Sequence, residues 1–99
     1  MAKGYWIGRV DVADIEAYKK YVAANGSVFE KYGGRFLVRA GQFETPEGTS
    51  RSRNVVLEFD SYEQAKACYY SDEYQSIIGL RQKNGVSTGD LIIVEGYGG

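Results

Sequence analysis

The hydrophobic periodicities of this 99-residue chain predict an α+β domain of order βαββαβ, a four-stranded antiparallel sheet with helices on one face. Three observations carry this. Four stretches rich in β-branched and aromatic residues alternate with period two. The two stretches between them repeat their apolar residues at helical spacing and open on capping residues. The composition, 43% hydrophobic and 25% charged, suits one ordinary globular domain over residues 1–99.

Gly4 to Val12 alternates and reads as the first strand. Asp14 stands at an N-cap, and Ile15, Tyr18, Val22, Phe29 and Tyr32 recur at helical spacing up to the stop at Gly33-Gly34. Asn25-Gly26 is unfavourable inside a helix, so a kink or break is expected there. A second strand covers about Arg35 to Phe43. The segment ETPEGTSRS, with the single proline Pro46, is an exposed hairpin loop, and Arg53 to Phe59 is the third strand. Ser61-Tyr62-Glu63-Gln64 has the capping-box pattern, in which the serine hydroxyl accepts from a backbone N–H and the glutamine side chain returns to the serine N–H. Ala65, Cys68 and Tyr69 form the apolar stripe of the helix that follows. Ser71-Asp72 ends it and caps another from Glu73 to about Lys83. NGVSTG reads as loop, Asp90 to Glu95 as the last strand, and the tail GYGG as loose with Tyr97 as its anchor.

In this ferredoxin-like arrangement the right-handed crossover rule sets the first and third strands in the centre of the sheet. The helix-facing set is then Trp6, Gly8 and Val10; Phe36, Val38 and Ala40; Val55, Leu57 and Phe59; Ile92 and Val94. All are apolar or glycine. The opposite face carries Tyr5, Ile7, Arg9, Leu37, Arg39, Asn54, Val56, Glu58, Leu91, Ile93 and Glu95, a mixture that suits neither open solvent nor a plain core. Such a face marks cover by a second copy or a ligand.

Hairpin pairing of strands two and three places Arg39 opposite about Glu58, and parallel pairing of strands one and three brings Arg9 to the same level. The expected cluster is Arg9–Glu58–Arg39. In a partly dry pocket Glu58 would titrate nearer neutrality and act as acid–base, with Arg39 as anion stabiliser; the structural alternative is an ion network that sets dimer register. Tyr69, Tyr74 and Arg81 fall along the second helical region, where the break at Ser71-Asp72 opens a pocket. The candidate ligand-binding set is Arg9, Arg39, Asn54, Glu58, Tyr69 and Tyr74, with Glu58 and Arg39 the catalytic candidates. Arg53, at the hairpin mouth, is expected in solvent, and Trp6 and Cys68 in the core.

Composition also excludes. With no histidine and one cysteine, a zinc constellation, a Ser-His-Asp triad and an intramolecular disulfide all fall away, so neither metal nor cofactor is expected. A net charge of -1, with Tyr5 the one aromatic on the outer face of the central strands, argues against nucleic acid and against anionic membrane. MAKGYWIGRV lacks the apolar segment of a signal peptide, and no apolar run is long enough to span a bilayer. A cytoplasmic location is expected.

KGYWIGRVDV at Lys3 to Val12, EAYKKYV at Glu16 to Val22, YGGRFLVRAG at Tyr32 to Gly41, RNVVLEF at Arg53 to Phe59, SDEYQ at Ser71 to Gln75 and IIVEGY at Ile92 to Tyr97 span essentially the whole chain. Through them it resembles the bacterial family called domain of unknown function 1330, of the dimeric α/β-barrel superfamily. The resemblance implies a homodimer in which two ferredoxin-like protomers bring their sheets together as a barrel. Superfamily relatives include cofactor-free monooxygenases acting on aromatic polyketides, muconolactone isomerases, haem enzymes and stress-responsive proteins, so the resemblance implies a fold and no single activity. Without a histidine for an axial ligand, haem does not fit. The expectation is an uncharacterised homodimer binding a small aromatic or anionic molecule in a barrel pocket, with cofactor-independent catalysis left open. A structural or interaction module is the alternative.

Overall fold

The computed structural model describes residues 2–98. Its elements are β1 (Gly4–Val12), α1 (Ile15–Lys31), β2 (Arg35–Arg39), β3 (Arg53–Phe59), α2 (Tyr62–Tyr69), α3 (Asp72–Gln75), α4 (Gly79–Gln82), a 3-10 turn (Lys83–Gly85) and β4 (Ser87–Glu95). The strands form one antiparallel sheet in the order β2-β3-β1-β4, with β1 and β3 central as the crossover rule requires. The expected parallel pairing of β1 with β3 does not occur; Tyr5 faces Glu58 and Arg9 faces Asn54 in antiparallel register. The α1 crossover makes β2 run with β1, so a β3 that returns from β2 by a hairpin must oppose both.

Asp14 caps α1, its carboxylate accepting from the Ala17 N–H at 3.0 Å. The helix then runs unbroken through Asn25-Gly26, where a kink was expected. Tyr18, Tyr21, Asn25 and Phe29 form its buried stripe, and their packing outweighs a local propensity cost of about 1 kcal/mol. Gly33, at φ +76°, ends the helix in the left-handed region, and the Gly34 N–H donates back to the Phe29 carbonyl at 2.8 Å. A Cβ on Gly34 would stand 2.8 Å from the Phe59 ring, so the chain enters β2 where only glycine fits.

Two departures change which side chains share a face. First, β2 is irregular between Phe36 and Val38, so Val38 pairs with Val56 and Arg39 with Val55. The strand stops at Arg39 rather than Phe43, because Ala40 adopts φ 58° and gives its N–H to the Asn54 carbonyl. Second, β4 begins at Ser87, taking in three residues expected as loop, and pairs Leu91 with Gly8 and Ile93 with Trp6. Leu91 and Ile93 therefore join the core, whereas Ile92 and Val94, expected beneath the helices, are 54% and 37% exposed. Tyr97 is fully exposed and anchors nothing; the tail is held by the Gly96 N–H on the Lys3 carbonyl at 2.7 Å.

The capping box at Ser61 is half formed. Its hydroxyl accepts from the Gln64 N–H at 3.0 Å, but the Gln64 amide donates to the Tyr32 carbonyl at the end of α1, trading a local bond for a tertiary one. The single helix expected after Ser71 is instead α3, α4 and the 3-10 turn, with Ser71 capping α3 through the Tyr74 N–H at 3.1 Å. Trp6 is the hub of the core: it meets Phe29 and Tyr74 edge to face at 5.1 and 5.0 Å, and its indole N–H donates to the Ala65 carbonyl at 2.8 Å. Cys68 is fully buried, which pushes its thiol up to about 12 and leaves it a small core hydrophobe.

Glu73 ties α3 to the end of α1 through Lys31 and the Tyr32 hydroxyl. The Lys31 ammonium first, then the backbone N–H and Tyr32, hold its carboxyl at about 2. A depressed acid contributes stability above its unfolded value, and loses it as pH falls through the folded one. Urea midpoints are thus expected to decline as pH drops from about 5 toward about 2, and Glu73→Gln to flatten that decline. An unchanged slope in the variant would assign the acid sensitivity elsewhere.

Candidate functional site

A cavity of about 230 Å³ lies between the helices and the sheet. Glycine makes room for it: Gly8 of β1 and Gly89 of β4 add no side chain to the cavity floor, which Val10, Val55 and Leu91 flank. Trp6, Phe36 and Tyr69 supply aromatic wall, and three arginines enter from three different elements.

Arg39 reaches the cavity because of the β2 irregularity. Regular alternation would send it to the outer face with Arg35; with Leu37 as the extra residue it pairs with Val55 instead, and its guanidinium lies 4.2 Å from the Phe36 ring centroid. Arg53, the first residue of β3, pairs with Val10 on the helix side, and its guanidinium carbon is 5.3 Å from the Tyr18 ring. It is half-buried rather than solvated, and its Nε is buried with no acceptor among the described residues. Arg81 of α4 donates from Nε to the Tyr74 hydroxyl at 3.1 Å, and that oxygen lies 2.7 Å from the Tyr21 hydroxyl. Burial raises the pKa of Tyr18, Tyr21 and Tyr74, so all three are neutral phenols. Asn25, one turn beyond Tyr21 on α1, is 5% exposed, and its Oδ1 has no donor among the described residues.

None of the three arginines has a carboxylate within salt-bridge distance among the described residues. Asp90 borders the cavity through the β4 backbone, but its carboxylate lies on the outer face with Arg9, where Arg51 holds it at 3.1 Å while bridging to Asp11 at 2.9 Å. The walls therefore carry an unbalanced positive charge.

Of the candidates drawn from sequence, Arg39, Tyr69 and Tyr74 line this cavity, as does Arg81. Arg9, Asn54 and Glu58 belong to the other face of the sheet, where Arg9 donates to the Thr49 carbonyl at 3.1 Å. The Arg9–Glu58–Arg39 cluster does not form. Antiparallel register separates Arg9 from Glu58, and the partner of Glu58 is Arg35 at 2.7 Å, joined by the Tyr5 hydroxyl at 2.9 Å. Arg35 first and Tyr5 second hold the Glu58 carboxyl below the usual range. It is ionised at neutral pH rather than poised near it. Arg53 and Asn25 were missed as site residues. Asn25 had a legible signal, a polar residue on the stripe of Tyr18, Tyr21 and Phe29, which was read as a helix breaker.

On the outer face the registers align Val38, Val56, Ile7 and Ile92 in one apolar row across all four strands. Arg35, Glu58, Tyr5 and Val94 flank it on one side, and Asn54, Arg9 and Asp90 on the other. No helix among the described residues is long and apolar enough to cross a membrane, and no group of three or more acidic, cysteine or histidine residues among them could hold a metal ion.

The family model described as Domain of unknown function (DUF1330) matches residues 3–97. No functionally curated protein matches the chain. Among solved structures, a protein of unknown function from Rhodopseudomonas palustris superposes with a TM-score of 0.76 at 20% identity, covering 99% of this chain and 85% of that one. A protein of the ethyl tert-butyl ether D family from Bacillus halodurans gives 0.58 at 17% identity, covering 98% and 100%. These likenesses support the fold.

Proposed function

The chain belongs to the domain of unknown function 1330 family, and from that premise we propose that it binds a small aromatic anion in the cavity between helices and sheet. The observation that carries this reading is the convergence of Arg39, Arg53 and Arg81 on one cavity with no carboxylate to match them. Arg53 and Arg81 are half-buried while Arg39 is exposed; a guanidinium withdrawn from water needs a counter-charge or acceptors, and an anionic ligand supplies both. A volume of about 230 Å³ admits one substituted ring, below the drug-sized range. Binding is the function supported. Acid–base catalysis needs a free base as well, and Asp90 is engaged by Arg51.

Trp6 lines the cavity and is the chain's one tryptophan, so its fluorescence reports occupancy. Titration with benzoate is expected to give a saturable change, benzamide a much weaker one, and benzylamine none. Equal responses to benzoate and benzamide would remove the anion from the reading.

The row Val38–Val56–Ile7–Ile92 favours a second proposal, a homodimer through the outer sheet face. An apolar band flanked by polar rows is the composition of an interface with a hydrophobic centre and a polar rim. Sedimentation at micromolar concentration is expected to give a dimer, and Ile92→Lys a folded monomer. A wild-type monomer would overturn it.

A further inference from the structure

Two residues that line the cavity each carry a buried polar atom without a partner among the described residues, and the two atoms are of opposite kind: the Arg53 Nε–H donates, and Asn25 Oδ1 accepts. An anion alone satisfies the first and leaves the second bare. A buried acceptor without a donor is costly, so a ligand suited to this cavity brings a hydroxyl or N–H as well. The two residues are set apart along α1. Arg53 stacks over Tyr18, and Asn25 lies seven residues further along α1, about 10 Å of helix rise. A donor adjacent to the carboxylate on a ring would not span them; one across the ring is better placed.

Resting on the anion-binding reading above, we infer that the ligand is an aromatic hydroxy acid, its carboxylate on Arg53 and its hydroxyl, on the far side of the ring, donating to Asn25 Oδ1. Arg39 and Arg81 add positive field without constraining the hydroxyl. The aromatic walls at Trp6, Phe36 and Tyr69 hold the ring between the two polar residues.

Trp6 fluorescence titration of the full chain with 4-hydroxybenzoate, 4-fluorobenzoate and 2-hydroxybenzoate tests this. Fluorine is close to hydroxyl in size and cannot donate, and the 2-hydroxyl bonds its own carboxylate. 4-Hydroxybenzoate is expected to bind about tenfold tighter than either of the others. In Asn25→Leu that preference should vanish while affinity for 4-fluorobenzoate stays within about twofold. If the variant does not fold, the three wild-type affinities decide the matter alone. Equal affinity for 4-hydroxybenzoate and 4-fluorobenzoate would overturn the hydroxyl subsite, with Asn25 then satisfied by solvent, and leave anion binding standing. Failure of every benzoate to bind would overturn both.

Discussion

Replacing Arg53 with methionine is expected to weaken benzoate binding by roughly 10- to 100-fold and at the same time to stabilise the unliganded protein by about 1 kcal/mol. The two effects share one cause. The Arg53 Nε is buried without an acceptor among the described residues, so the free protein keeps a donor out of water at a cost that an anion offsets. Methionine keeps much of the aliphatic volume over Tyr18 and removes the unsatisfied donor. Arg53→Lys should fall between, because an ammonium supplies charge without the planar fork. Trp6 titration and urea unfolding on the same samples read both quantities. Unchanged affinity in Arg53→Met would take this residue out of the site, and lower stability would mean that its role is to hold the sheet together.

Phe59→Ala is expected to cost about 3–5 kcal/mol, at least a third of the stability of a domain at the lower end of the usual range. Phe59 is 0% exposed, lies 5.8 Å from Trp6 between ring centroids, and fills the space that Gly34 leaves open, so the cavity created has rigid backbone on one side. For a chain of 99 residues this corresponds to a fall in melting temperature of roughly 15–30 °C. Ile15→Ala, at a position 53% exposed, should change stability by no more than about 0.5 kcal/mol. A loss under about 1 kcal/mol at Phe59 would show that α1 and the 33–34 turn relax into the gap.

Glycines shape the protein twice over, at the turn into β2 and at the cavity floor, yet they bear on function differently. Gly33-Gly34 was legible as a helix stop. Gly8, though placed on the helix-facing side from sequence, becomes a cavity floor only when set between Val55 and Leu91 and covered by α1 and α4. The arginines behave in the same way. Arg81 was legible as a pocket residue because Ser71-Asp72 marked a break beside it; Arg53 was not, since a charge at a strand end beside a polar loop is ordinarily solvated.

The order of the strands and main helices along the chain, the N-caps at Asp14, Ser61 and Ser71, and the strand order rest on residues within a turn or two of one another, or on the handedness of one crossover, and these the sequence determined by itself. It also showed that these 99 residues include no histidine. Tertiary structure alone decided which face the outer strands show. In a strand every side chain beyond an inserted residue changes sides, and whether Leu37 is inserted depends on how β2 lies against β3, not on any propensity of RFLVR itself. The start of β4 is likewise chosen by its pairing with β1, which moves Leu91 and Ile93 inward and Ile92 and Val94 outward. The parity change at Leu37 brings Arg39 to the cavity, and the β2–β3 register gives Glu58 to Arg35, because long-range pairing outweighs the alternation pattern that a short strand can express.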